Sequence, residues 1–77
     1  MAWVKEIECK SGDGKLQPTQ VVAQVKIFTP NGALPVVQID TYGSEERKIP
    51  GKQSQTLQLG KEAAFKLYKI LKETYGF

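Results

Sequence analysis

Apolar and polar residues alternate along four stretches of the chain, and this two-residue period is typical of strands that bury one side. The stretches run from Trp3 to Lys10, from Gln20 to Thr29, from Leu34 to Tyr42 and from Gln53 to Leu59. Pro30-Asn31-Gly32 separates the second stretch from the third, and Asn and Gly accept the positive φ angles that hairpin turns need. The pattern therefore predicts four strands, with a hairpin between the second and the third.

A helical period replaces the alternation after Gly60. Apolar residues then recur three and four positions apart, which predicts an amphipathic helix. They are Ala64, Leu67, Tyr68, Leu71 and Tyr75, with Ala63 and Ile70 beside them. Gly60 suits the N-cap and Gly76 suits the end of the helix. The sequence thus predicts one α+β domain over residues 1–77, in which a four-stranded antiparallel sheet is followed by one C-terminal helix packed on one face.

The two faces of the predicted sheet differ in chemistry. We expect the helix to cover the apolar one, which carries Val21, Ala23, Val25, Ile27, Val37, Ile39, Leu57 and Leu59. The opposite face carries Gln24, Lys26, Phe28, Gln38, Asp40, Tyr42, Thr56 and Gln58. Because an antiparallel sheet commonly leaves one face in water, this second face is the candidate binding surface.

The chemistry open to this chain is limited, because histidine is absent and Cys9 is the single cysteine. No internal disulfide can form, and the commonest general base and metal ligand is missing. No pair of acids and no glycine-rich loop matches a catalytic pattern, and no apolar run is long enough to span a membrane. We therefore expect a protein that is not an enzyme, uses no metal or cofactor, has no membrane partner and works in the reducing cytoplasm.

The net charge of +3 is unevenly distributed. Residues 1–42 are neutral as a group, so the whole excess lies between residues 43 and 77. A localised basic excess favours an anionic partner, although simple solvated surfaces show it too. On the open face Lys26 can neutralise a phosphate, while Phe28 and Tyr42 can stack on bases. Single-stranded nucleic acid fits these residues, and a plain solvated sheet face is the alternative interpretation.

From residue 36 onward the chain resembles the positive-cofactor-four-like family of single-stranded DNA-binding proteins, which are of the transcriptional coactivator type. The resemblance rests on the strand from Val36 to Tyr42 with its Ile-Asp pair, a charged loop with Pro50-Gly51-Lys52, the strand Thr56-Leu57-Gln58-Leu59 and the helix from Lys61. It spans residues 36–73. The Pur-alpha repeat has a similar plan of four strands and a helix, so a shared architecture also accounts for this order.

The resemblance implies a role in transcription regulation and a homodimer formed through the C-terminal helix, with single-stranded DNA lying over the sheets. Lys48 and Lys52 match the family's basic loop before the fourth strand, and Tyr42 falls near its basic or aromatic positions at the end of the third. The expected contacts to DNA or RNA, from the open face and the resemblance together, are phosphate contacts by Lys26, Arg47, Lys48 and Lys52 and stacking by Phe28 and Tyr42.

Two other functions are compatible with the sequence. Phe28, Phe65 and Phe77 could be the anchors of a protein-interaction module, because exposed aromatic residues often dominate the binding energy at interfaces. The chain could also be an excised domain with which a larger nucleic-acid enzyme recognises its substrate.

Overall fold

The structure is a computed structural model that describes residues 1–42 and 53–77. The chain forms four strands and one helix, in the order ββββα. They are β1 (Ala2–Val4), β2 (Ala23–Phe28), β3 (Val36–Tyr42), β4 (Gln53–Leu59) and α1 (Lys61–Tyr75). The predicted α+β plan of four strands followed by a C-terminal helix is confirmed.

The four strands form one mixed sheet in the order β1-β4-β3-β2. Strands β2, β3 and β4 are antiparallel to their neighbours, but β1 lies parallel to β4. The prediction of a purely antiparallel sheet is therefore wrong for its first strand. Alternation shows that a segment is a strand but not which neighbour it joins, and here residues 5–22 carry the chain from one edge of the sheet to the other.

The first strand is also shorter than the sequence predicts. Its register pairs Ala2 with Leu57 and Val4 with Leu59. One residue further on, β4 has ended and the chain turns into α1, so the alternating residues from Lys5 onward have no strand beside them. Strands β2 and β3 start a few residues later than predicted, β3 directly after Pro35, whose nitrogen cannot donate to a ladder.

The helix has the boundaries that its sequence signals predict. Gly60 is its N-cap in an extended conformation. Glu62 lies in the first turn, where its negative charge interacts favourably with the positive end of the helix dipole. Gly76 ends the helix in the left-handed region at φ 73°, and its N–H donates to the carbonyl of Lys72 at 2.9 Å. Only glycine adopts that conformation without a steric cost, which explains the stop.

The apolar side of the sheet is largely uncovered in the single chain. By register it carries Ala2, Val4, Ala23, Val25, Ile27, Val37, Ile39, Leu57 and Leu59, and we call it the apolar face. Val25 is 62% exposed, Ile27 71% and Leu57 44%. The prediction that the helix packs across this face is wrong: α1 starts beside β4 and contacts mainly that strand, whereas β2 lies two strands away.

The buried apolar residues are few and lie where the helix leaves the sheet. Val36, Leu59 and Ala63 are buried, and no large side chain among the described residues is completely enclosed. The radius of gyration is 14.7 Å, whereas a compact domain of this length has about 11.5 Å. Within residues 1–42 and 53–77, one copy of the chain therefore has a regular backbone but no closed hydrophobic core. Among the described residues, no helix is long and apolar enough to cross a membrane.

Candidate nucleic-acid interface

The opposite side of the sheet carries polar and aromatic residues, and we call it the polar face. Its members are Trp3, Gln24, Lys26, Phe28, Val36, Gln38, Asp40, Tyr42, Thr56 and Gln58. One row crosses all four strands, because Lys26 pairs with Gln38, Gln38 with Gln58, and Gln58 with Trp3. Neighbouring strands are about 4.8 Å apart, so the row extends about 14 Å from a cation at one edge to an aromatic ring at the other.

A chain of hydrogen bonds fixes the centre of the polar face. Gln58 donates from Nε2 to Oε1 of Gln38 at 2.9 Å, and Gln38 donates from its own Nε2 to both carboxylate oxygens of Asp40 at 3.0 and 3.1 Å. Thr56 donates to the same carboxylate at 2.7 Å. All the donors in this chain point towards Asp40, so each amide has one defined orientation.

Asp40 carries a negative charge at the centre of the polar face, where it is buried together with its partners Gln38 and Thr56. The hydroxyl of Thr56, and after it the Gln38 amide and the charge of Lys26, lower the pKa of Asp40 below its ordinary value, although desolvation opposes them. The carboxylate is therefore ionised at neutral pH. Its negative charge disfavours an anion over the centre of the polar face, whereas the charge of Lys26 favours one at the β2 edge.

The structure places three of the predicted site residues on this face. Lys26 is exposed on β2, and Phe28 and Tyr42 are half-buried. Phe28 and Tyr42 lie at opposite ends of the sheet, because the N–H of Tyr42 donates to the carbonyl of Val22, the residue before β2, whereas Phe28 ends that strand. Six strand residues separate the two positions by about 20 Å, so they cannot clamp one base together.

The remaining predicted contacts lie outside the described residues. Arg47, Lys48 and Lys52 are in the segment between β3 and β4, and their contribution stays a prediction. Within the described residues, Lys26 is therefore the predicted phosphate contact whose position on the polar face is established.

The ring of Tyr42 is oriented by its hydroxyl, which donates a hydrogen bond to Oε1 of Gln24 at 3.2 Å.

The polar face also carries Trp3, which is not among the predicted site residues. This side chain is 54% exposed and belongs to the polar face through its pairing with Gln58. A Cβ built on Gly60 would lie 2.9 Å from both Cζ2 and Cη2 of the Trp3 ring, so the ring rests against bare backbone. Alternation places Trp3 and Val4 on opposite sides of β1, but only the parallel pairing with β4 shows which side is the polar one.

An open cavity of about 560 Å³ adjoins Trp3 at the end of the sheet. Its lining includes Trp3, Pro30, Leu34, Pro35, Val36 and Ala63. The walls are mainly apolar, which suits a flat hydrophobic group better than a charged one. Among the described residues, no group of three or more histidine, cysteine, aspartate or glutamate residues could hold a metal ion.

The chain has no significant match among protein-family models, curated proteins or solved structures. The residues described above are therefore the basis for inferring its function.

Proposed function

We propose that this chain is a small single-stranded DNA-binding protein that acts as a homodimer and catalyses no reaction. The observation that carries the proposal is the separation of its two sheet faces. The apolar face needs a cover, whereas the polar face carries Lys26 and aromatic rings on a fixed network of amides. A flexible anionic polymer uses this combination of cation, ring and amide.

In a dimer, the exposed apolar side of the helix in one copy can cover the exposed apolar face of the sheet in the other. On α1, Phe65, Tyr68, Leu71 and Tyr75 are spaced by three and four residues, and all four are exposed. The exposed apolar residues of β2 lie beyond the reach of this helix in the same chain. A two-fold dimer in which each helix lies on the partner's sheet buries both surfaces at once. A dimer through the C-terminal helix is also what the family resemblance implies.

On the polar face, Lys26 binds a phosphate, and the rings of Phe28 and Tyr42 stack on bases at the two ends of the sheet. Asp40 keeps the sugar-phosphate backbone on the side of Lys26. The predicted contacts of Arg47, Lys48 and Lys52 would add phosphate binding from the segment between β3 and β4. The amide side chains do not distinguish a deoxyribose from a ribose with its 2′-hydroxyl. Competition by unlabelled single-stranded RNA is therefore the first control to measure.

Anisotropy of a labelled single-stranded oligonucleotide of mixed sequence tests this function. Binding is expected at about 50 mM salt and should weaken steeply towards about 200 mM, because phosphate contacts release counterions. Unlabelled duplex DNA should compete poorly, since its bases are not available for stacking. Absence of binding at about 50 mM salt with tens of micromolar protein overturns the proposal.

A protein-interaction module is the second candidate, and the exposed apolar face favours it. In that case a different protein covers Val25 and Ile27. Sedimentation of the purified chain, combined with the anisotropy assay, distinguishes the two functions. A dimer that binds oligonucleotide supports the DNA-binding protein, whereas a monomer that does not bind oligonucleotide supports the protein-interaction module. If this chain is part of a larger nucleic-acid enzyme, the same oligonucleotide binding would serve substrate recognition there.

A further inference from the structure

We propose that Trp3 is a base-stacking platform and that Gln58 beside it contacts the edge of the stacked base. This inference rests on the proposed function and adds a subsite at the β1 edge of the polar face. Trp3 is not among the residues that the sequence or the family resemblance assigns to nucleic-acid binding, and Gln58 lies on the open face predicted from the sequence without an assigned contact. The subsite combines an exposed ring, a bare glycine beneath it and an amide of fixed orientation.

The position of the Trp3 ring is set by the backbone on which it rests. Strand β1 holds Trp3 beside Gln58, and the ring lies against Gly60, two residues after Gln58. Because Gly60 has no Cβ, the ring can approach the backbone to a distance at which a methyl group would collide with Cζ2 and Cη2. The ring is supported from below and remains about half exposed, which is what a stacking partner requires.

The amide of Gln58 is oriented by the hydrogen-bond chain that ends at Asp40. Gln58 uses one Nε2 hydrogen to bond Gln38, whose own amide is fixed by the carboxylate. A primary amide has two hydrogens and a carbonyl oxygen, so Gln58 still offers one donor and one acceptor. A donor and an acceptor on one planar group match the edge of a nucleobase, adenine in particular.

The surroundings of Trp3 also suit a bound nucleotide, because an apolar cavity lies on one side of the ring and a row of polar residues leads to Lys26 on the other. The apolar cavity of about 560 Å³ beside Trp3 has room for a flat base. In the other direction the row of the polar face leads through Gln58 and Gln38 to Lys26, about 14 Å away. A base on Trp3 and a phosphate on Lys26 therefore belong to one strand crossing the sheet.

Trp3 is the only tryptophan of the chain, so its fluorescence reports on this subsite alone. The experiment titrates the intact protein with a single-stranded oligonucleotide while recording both the anisotropy of the labelled oligonucleotide and the emission of Trp3. Quenching of Trp3 should follow the anisotropy curve. Trp3→Ala should weaken binding roughly 5- to 150-fold, the range of one lost stacking contact, while Trp3→Phe recovers part of the affinity.

Gly60→Ala tests the platform with the ring still present. Its backbone is extended, at φ −83° and ψ −178°, so alanine causes no conformational strain and acts by displacing the ring. It should weaken binding and change Trp3 emission in the free protein. Leu16→Ala, which removes an exposed side chain from the segment between β1 and β2, outside both faces of the sheet, is the control and should leave affinity unchanged. Circular dichroism of each variant checks that the fold is retained.

The possible outcomes separate the two proposals. Oligonucleotide binding with unchanged Trp3 emission and full affinity in Trp3→Ala overturns the platform and leaves the proposed function intact. A loss of affinity in Trp3→Ala without quenching in the wild type assigns Trp3 a structural role only and also overturns it. Absence of any anisotropy change overturns the proposed function and the subsite together.

Discussion

Replacing Ile27 by serine tests whether the apolar face is an interface between two copies. Ile27 is 71% exposed on β2, so its loss should hardly affect the fold of one chain. If a second copy covers it, the side chain becomes buried on association. Burying a whole isoleucine side chain stabilises by about 1.5–3 kcal/mol, and the exposed share of Ile27 therefore corresponds to about 1–2 kcal/mol per copy.

A two-fold dimer contains the substitution twice, so the loss is about 2–4 kcal/mol. This corresponds to a dimer dissociation constant that is roughly 30- to 1,000-fold weaker. Sedimentation velocity over a range of protein concentrations measures the constant for the wild type and for Ile27→Ser. Leu16→Ser is the matched control, because Leu16 is 99% exposed and lies on the segment between β1 and β2, outside both faces of the sheet.

The wild type and Leu16→Ser should associate equally, and Ile27→Ser should dissociate at concentrations where they remain dimeric. Circular dichroism at high concentration should show the same helix and strand content for all three proteins. A wild type that is monomeric at tens of micromolar, or an Ile27→Ser variant that associates as the wild type does, refutes the assignment of this face to a second copy.

Three other expectations follow from the described residues. Lys26→Gln should flatten the log–log salt dependence of oligonucleotide binding by roughly 0.7, the value for one phosphate of a single strand. Because the hydrogen bond from Thr56 lowers the pKa of Asp40, the ionised carboxylate stabilises the fold above the unfolded-state pKa of about 3.9. This stability is lost as the pH falls through the folded-state pKa, so the melting temperature of Asp40→Asn should fall less on acidification than that of the wild type. Gly76→Ala should destabilise the end of α1 by about 1 kcal/mol in thermal unfolding, because φ is 73°, whereas Gly14→Ala, in open space, should be neutral.

The local elements could be predicted from the sequence because their signals are local. The bounds of β4 and the glycine ends of α1 follow from alternation, helical period and capping preference. The pairing of β1 could not be predicted in this way, because it joins residues more than fifty positions apart. The position of the helix could not be predicted either, since amphipathicity shows that a helix has an apolar side but not which surface that side contacts.

In the candidate site, too, the positions set by local pattern could be predicted and those set by long-range strand pairing could not. Lys26, Phe28 and Tyr42 could be assigned to one face because alternation within β2 and β3 separates the two sides of each strand, and the antiparallel pairing of these strands brings the three positions to the same side. Trp3 could not, because its side of the sheet depends on the parallel pairing with β4. The separation of Phe28 from Tyr42 is likewise a property of the antiparallel register, which brings the end of β3 beside the start of β2.

The two edges of the sheet restrict how copies of this chain can assemble. Sheets grow into fibrils when long, flat edge strands pair with one another, and proteins avoid this with short strands or with lysine on the edge. Here one edge is β1, with only three residues, and the other is β2, which carries Lys26 between Val25 and Ile27. Neither edge is a good template for a further strand. We therefore expect copies of the chain to associate through their faces, where a two-fold contact closes on itself, and not by open-ended growth along the edges.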